Sequence, residues 1–139
     1  MNAASHKLRR LRRIERVRTV ARHTATVRAA EAEGTLGQLM AIRSRTKEMA
    51  EGYDPQDGCL LGADLGQIYR FVDGLTKLSA STERDVQVAQ VTADEFQQEL
   101  AKAERQRSLV SERVVKAEKA AQREDGETIL SRRRNWHAS

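Results

Sequence analysis

The side chains of this chain best equipped to act on another molecule are cationic. Residues 1–28 carry Lys7, Arg9, Arg10, Arg12, Arg13, Arg16, Arg18, Arg22 and Arg28 against a single acid, Glu15. Guanidinium and ammonium groups at this density meet polyanions in three settings: the phosphates of nucleic acid, an acidic membrane surface, or an acidic cavity of a protein partner. Ordinary solvated charge is the fourth reading. Of 25 Lys and Arg and 20 Asp and Glu, 16 basic and 19 acidic residues lie beyond residue 28, so the first segment is +8 and the rest −3. A second small cluster, Arg132, Arg133 and Arg134, stands near the other terminus. No base-reading helix, zinc module or interleaved aromatic accompanies these cations, which argues against sequence-specific DNA recognition.

Groups suited to catalysis are scattered. His6, His23, His137 and Cys59 have no metal-ligand spacing. No Gly-x-x-x-x-Gly-Lys-Ser/Thr loop is present to cradle a nucleotide, and no Ser, His and Asp pattern suggests a nucleophile. Gly58, Gly62 and Gly66 repeat every four residues, but outside an apolar 20-mer that spacing carries little meaning. The expectation is a non-enzymatic chain with no cofactor, metal or catalytic residue. No run approaches the roughly 18 apolar residues of a membrane span, and no apolar signal-peptide core opens the chain. With one cysteine, an internal disulfide is impossible, and a cytosolic location is expected.

The elements that must carry the cations are long helices. Leu61, Leu65, Ile68, Val72, Leu75, Ser79, Thr82, Val86, Ala89, Ala93, Phe96, Leu100, Ala103, Arg107, Val110, Val114, Ala117 and Ala121 follow one another at strictly alternating steps of three and four residues. Such a repeat keeps one seam facing a partner helix, the pattern of a coiled coil. Aromatics at 4% are too few for a packed globule and suffice for a narrow seam. Disorder is the competing reading of a charged, aromatic-poor chain, and the sustained heptads weigh against it.

A first helix is expected over 5–51, capped by Ser5, with a weaker seam at Leu11, Ile14, Arg18, Ala21, Ala25, Arg28, Ala32, Thr35, Leu39, Ile42, Thr46 and Met49. Gly34 and Gly37 make a local irregularity plausible there. Residues 52–63 form the turn, with Gly52, Asp54, Pro55, Asp57 and Gly58 supplying the turn chemistry. Asp64 and Gln67, spaced as a capping box, start a second helix over 64–130. Residues 131–139, with Trp136, form a flexible tail. The fold class is therefore all-α: one domain over 1–139, two long helices folded into an antiparallel coiled-coil hairpin, the second longer and overhanging. At 1.5 Å per residue the helices measure about 70 Å and about 100 Å. If residue 50 opposes residue 62, the first helix ends near 105, and Val110, Val114, Ala117 and Ala121 project without an intramolecular partner.

A second stripe, Phe71, Leu75, Leu78 and Thr82, widens the apolar face where the second helix begins. Either these side chains close over the edge of the seam, or they form a docking surface anchored by Phe71.

The stretch Gln67-Ile68-Tyr69-Arg70-Phe71-Val72-Asp73-Gly74-Leu75-Thr76-Lys77-Leu78, with the total length, the basic N-terminal heptads, the single mid-chain turn and the alanine-rich charged tail, resembles the flagellar export protein FliJ family. The stalk of virulence-type type III secretion systems has the same design. The resemblance implies an antiparallel coiled coil similar to the central stalk of rotary ATP synthases. Its paired ends would enter the pore of the hexameric export ATPase, and its hairpin side would contact the cytoplasmic domain of the large export-gate subunit. Export chaperones would be further partners. By position, the gate surface would comprise Phe71, Leu75, Leu78 and Thr82, with Gln38, Ile42, Arg45 and Met49 on the first helix; two of the latter replace aromatics common in the family. The ATPase-ring contact would fall to Arg9, Arg10, Arg12, Arg13, Val110 and Val114.

The function expected on these grounds is a non-enzymatic stalk or chaperone-type component of the bacterial flagellar (type III) export apparatus. It would be cytoplasmic and peripheral to the inner membrane at the basal body, coupling energy to export. The alternatives are a basic coiled coil associated with nucleic acid and a homodimeric structural coiled coil.

Overall fold

A computed structural model describes residues 2–52 and 62–138 of the chain. It is all-α: α1 (Ala3–Glu51) and the longer α2 (Gly62–Ala138) pack against each other as an antiparallel hairpin. The expected turn at Gly52-Tyr53-Asp54-Pro55-Gln56-Asp57-Gly58 and the seam residue Leu61 lie, apart from Gly52, outside the described residues, as does Cys59. Gly52 itself ends α1, its N–H donating to the Glu48 carbonyl at 2.9 Å.

Helix ends differ from the sequence expectation in small, explicable ways. Asn2, not Ser5, caps α1: its Oδ1 accepts the Ser5 N–H at 3.0 Å, the side-chain oxygen satisfying one of the orphan donors of the first turn. Asp64 lies inside the first turn of α2 instead of capping it. A carboxylate there still interacts favourably with the helix dipole. Residues 131–138, expected as a flexible tail, continue α2 as helix. Gly34 and Gly37 leave α1 unbroken.

The α2 seam is the one read from the sequence. From Leu65 to Ala121 every residue of the three-four series is buried or half-buried. The α1 seam is not. Its covered positions are Leu8, Leu11, Glu15, Arg18, Arg22, Ala25, Ala29, Ala32, Leu36, Leu39, Arg43, Thr46 and Ala50, again at alternating steps of three and four. Leu11, Arg18, Ala25, Ala32, Leu39 and Thr46 match the expectation, and Leu8 precedes it. The others are displaced by one residue, so that Glu15, Arg22, Ala29, Leu36, Arg43 and Ala50 replace Ile14, Ala21, Arg28, Thr35, Ile42 and Met49. The reason is packing and pairing together. Ala29, 2% exposed, lets the helices approach closely, and Leu36 joins Val86 and Ala93 in a cluster flanked by Ala32, Leu39 and Ala89. Glu15, Arg18 and Arg43 keep apolar stems inside and bring their polar ends to partners across the seam.

The chain divides into two compact units. The first comprises residues 1–27 and 98–139. Its core is Leu11, Val110, Val114 and Ala117, with Leu8 packed against them. Around that core Arg18 Nη1 donates to Gln106 Oε1 at 2.7 Å, Ser111 Oγ donates to Glu15 Oε1 at 2.8 Å, and Arg12 Nη2 meets Glu118 Oε1 at 3.1 Å. Arg107 Nε donates to Thr19 Oγ1 at 3.3 Å. These pairs overturn the expectation that Val110, Val114, Ala117 and Ala121 project without a partner: all four are buried, with Val110, Val114 and Ala117 in the core that Leu11 and Leu8 complete. The second unit, residues 28–97, holds the Leu36 cluster, buried Leu75, and the buried threonines Thr46 and Thr82. Each threonine hydroxyl donates at 2.8 Å to the carbonyl one turn back, Ile42 and Leu78 respectively, so neither is buried unsatisfied.

Within this second unit Arg43 Nη1 meets Glu83 Oε2 at 3.2 Å. Pairing residue 50 with residue 62 would instead set Arg43 level with residue 69, so the assumed offset is wrong by two heptads, about 14 residues. Sliding one helix by whole heptads keeps every seam residue on the seam, and the repeat alone is therefore blind to it. The covered α2 seam ends at Ala121, and from Asp125 to Ala138 every residue but Ser131 is exposed.

A Cβ added at Gly34 or Gly37 meets nothing within 4 Å. The double variant Gly34→Ala/Gly37→Ala is expected to raise unfolding free energy by about 1–2 kcal/mol, through helix propensity alone. Urea denaturation followed by circular dichroism measures it; a loss of stability would mean that the glycines mark a feature of α1 other than regular helix.

Candidate functional site

The arrangement to be tested is the stripe beside the seam in the second unit. Its side of the hairpin is fixed by a hollow in that unit. Arg28 and Thr35 immediately precede the buried Ala29 and Leu36, and Asp85 and Thr92 immediately precede the buried Val86 and Ala93. All four line one open hollow floored by Ala32, Leu39, Ala89 and Phe96. Residues one position ahead of the seam therefore flank the same side on both helices.

By that rule Ile42 and Met49 share a flank with Phe71 and Leu78, since each stands one residue ahead of a seam position. Gln38 and Arg45, one ahead of Leu39 and Thr46, join them. The four apolar members are substantially exposed: Ile42 48%, Met49 52%, Phe71 42% and Leu78 50%. Gln38 and Arg45 are exposed as well. The remaining two residues expected here are not on this surface. Leu75 and Thr82 are 7% and 4% exposed and belong to the seam. The stripe read as Phe71, Leu75, Leu78 and Thr82 thus splits in two, its first and third members outward and its second and fourth inward. A spacing of four, three, four cannot by itself separate a seam from its flank, because both repeat every seven residues.

The cationic site residues lie in the first unit. Arg9, Arg10, Arg12 and Arg13 are all exposed on α1. Arg12 is paired with Glu118, an ion pair whose side chains are 55% and 41% exposed and which therefore adds little stability. Val110 and Val114, expected beside them at a ring contact, are buried in the core of the unit and present no surface. Counting by unit sharpens the charge separation. The first unit holds 18 basic and 8 acidic residues and the second 7 and 12, so they carry +10 and −5.

The sequence reading missed Arg113 and Lys116. They stand on the first unit's open flank beside Lys7 and Arg10, where the four cations line a hollow. Their positions one residue ahead of Val114 and Ala117 in the α2 seam were a usable signal. Among the described residues, no group of three or more His, Cys, Asp or Glu converges to hold a metal ion, and no helix is long and apolar enough to cross a membrane.

Comparison with protein-family models, with curated proteins and with solved structures found no match to this chain.

The seam and flank assignments are separable by experiment. Leu75→Ala is expected to cost about 2 kcal/mol or more by opening space in the seam. Leu78→Ala, on the exposed flank, should stay within about 0.5 kcal/mol of the parent. Chemical denaturation of the two variants checks this, and equal losses would place Leu78 in the seam.

Proposed function

We propose that the chain is a non-enzymatic stalk or chaperone-type component of a bacterial flagellar or related type III export apparatus. Its basic unit engages the hexameric export ATPase, and its acidic unit engages the cytoplasmic domain of the large export-gate subunit. The observation that carries this reading is the pairing of an antiparallel hairpin with two chemically different surfaces. One unit is strongly cationic and holds the first turns of α1 together with the last turns of α2. The other presents Ile42, Met49, Phe71 and Leu78 on one flank, with Gln38 and Arg45 beside them.

In this reading the ring contact uses the exposed Arg9, Arg10, Arg12 and Arg13, and the buried Val110 and Val114 act only by holding the two helices together. The gate contact uses the outward half of the stripe, with Phe71 as the aromatic anchor. Leu75 and Thr82 support that surface from beneath. Localisation at the inner membrane then follows from the partners, and export chaperones are further candidates for the same exposed flank. The action is mechanical and allosteric: the chain contributes shape and charge, and its partner carries the nucleotide chemistry.

Adding the chain to the purified export ATPase is expected to promote hexamer formation and raise ATP hydrolysis; no change in either sinks the reading. The double variant Phe71→Ala/Leu78→Ala should weaken binding to the gate domain by about tenfold or more, with the helical circular dichroism unchanged. The rival reading, a basic coiled coil on nucleic acid, draws on the same cations. It gains if duplex DNA binds with a steep salt dependence that Arg9, Arg10, Arg12 and Arg13 account for while the ATPase does not respond.

A further inference from the structure

In the first unit, Lys7 and Arg10 on α1 and Arg113 and Lys116 on α2 line one hollow. Each stands one residue ahead of a seam position, so the two helices contribute a row of cations to the same flank. The rest of the lining is apolar and mostly small: Ala4, Leu11, Ile14, Ala117 and Ala120, of which Ile14 and Ala120 continue the two rows as apolar members and Leu11 and Ala117 lie in the seam between them. No carboxylate is among the lining residues. Among the described residues, none of the four cations joins an ion pair or side-chain hydrogen bond. Two of the unit's carboxylates are engaged elsewhere, Glu118 with Arg12 and Glu15 with Ser111. Ile14, 39% exposed, stands on the α1 edge of the hollow.

We propose that this hollow is a docking groove for an acidic amphipathic helix of a partner protein, which lies on the hairpin as a third helix. Its apolar stripe would rest on Ile14, Ala117 and Ala120, and carboxylates on both its edges would meet Lys7 and Arg10 on one side and Arg113 and Lys116 on the other. The shape and the chemistry both select this occupant. Small residues between two helices let a third backbone come close, whereas a bulky floor would hold it off. A nucleic-acid backbone needs cations and leaves an apolar floor unused. A bilayer is flat and meets a convex face before a hollow. Complementary charge on both rims fixes the register and orientation of the bound helix, which apolar contact alone does not. The inference rests on this unit's geometry and shares one residue, Arg10, with the ring contact of the export reading.

The test uses the full chain and a fluorescent synthetic helix of about 18 residues, about 27 Å long, with leucines at i, i+3, i+4 and i+7 and glutamates along both edges. A second peptide carries glutamine at every glutamate. Anisotropy titration is expected to show the glutamate peptide binding about tenfold or more tightly than the glutamine peptide, and losing affinity as salt is raised. Arg113→Gln/Lys116→Gln should weaken it by about tenfold or more, while Arg16→Gln/Lys119→Gln, which removes the same charge away from the hollow, should leave it within about twofold. Ala120→Gln, which puts a larger side chain into the hollow and keeps helix propensity, should weaken it with helicity unchanged.

Equal loss in both charge variants, equal binding of the two peptides, or no effect of Ala120→Gln overturns the groove. So does tighter binding of phosphatidylglycerol vesicles or duplex DNA that the Arg113→Gln/Lys116→Gln change abolishes. Sedimentation of the chain alone as a dimer that the same change dissolves would give the groove to a second copy and overturn the partner helix. Peptide binding is read without the ATPase or the gate domain, so its failure and the failure of the export reading are distinguishable.

Discussion

Everything in this molecule rests on two helices covering one another along a strip a single residue wide. Neither helix has an apolar face broad enough to be stable alone. α1 places alanine, leucine and threonine at seam positions between half-buried arginine and glutamate, and α2 spends several of its seam positions on alanine. The strip supports the fold because its three-four alternation is sustained on both helices, so the contact continues turn after turn. Small residues such as Ala29 and Ala93, almost wholly covered, set how closely the backbones approach. Most polar seam residues find a partner: a carbonyl one turn back for Thr46 and Thr82, and a side chain on the opposite helix for Glu15, Arg18, Arg43 and Arg107.

That economy leaves much of the surface free for other work. Polar links across the seam gather around Arg12, Glu15, Thr19 and Arg43. Gln106, one position ahead of Arg107, joins them by accepting from Arg18, and in each unit other residues at such positions frame an open hollow. The two hollows differ in charge because the units differ. In one, cations from both helices surround an apolar floor; in the other, Arg28 sits with Glu31 and Asp85 around one. A hairpin of this kind presents surfaces of different charge and polarity on a simple backbone.

Much of this was legible in the residues. The all-α hairpin, the greater length of the second helix and every described seam position from Leu65 to Ala121 follow from periodicity, because a seven-residue repeat admits few other buried arrangements. The charged beginning of α1 was equally plain. Legibility ended at two places, each for a definite cause. On α1, Ile14, Ile42 and Met49 looked like seam residues because they are large and apolar. The structure half-buries Glu15, Arg43 and Ala50 in their stead, since cross-helix pairing and close approach outweigh hydrophobicity at a half-covered position. The axial offset was the second. Shifting the helices by two heptads changes which residues meet without changing which face the seam, so Val110 and Val114 read as unpartnered when Leu8 and Leu11 were waiting for them.

The candidate surfaces divide along the same line. Phe71 and Leu78 belong together at any offset, because their spacing of one heptad puts them on one face of one helix. That Ile42 and Met49 join them on the same flank, and that Arg113 and Lys116 stand beside Lys7 and Arg10, depends on how two distant segments are aligned. The amino-acid sequence by itself determined the helices, the covered face of α2 and the separation of charge, since these are local or periodic properties of a single helix. The tertiary structure alone decided the α1 register, the axial offset and the pairing of flanks into hollows. These depend on contacts between residues about a hundred positions apart, such as Arg12 with Glu118, which no periodicity within one helix encodes.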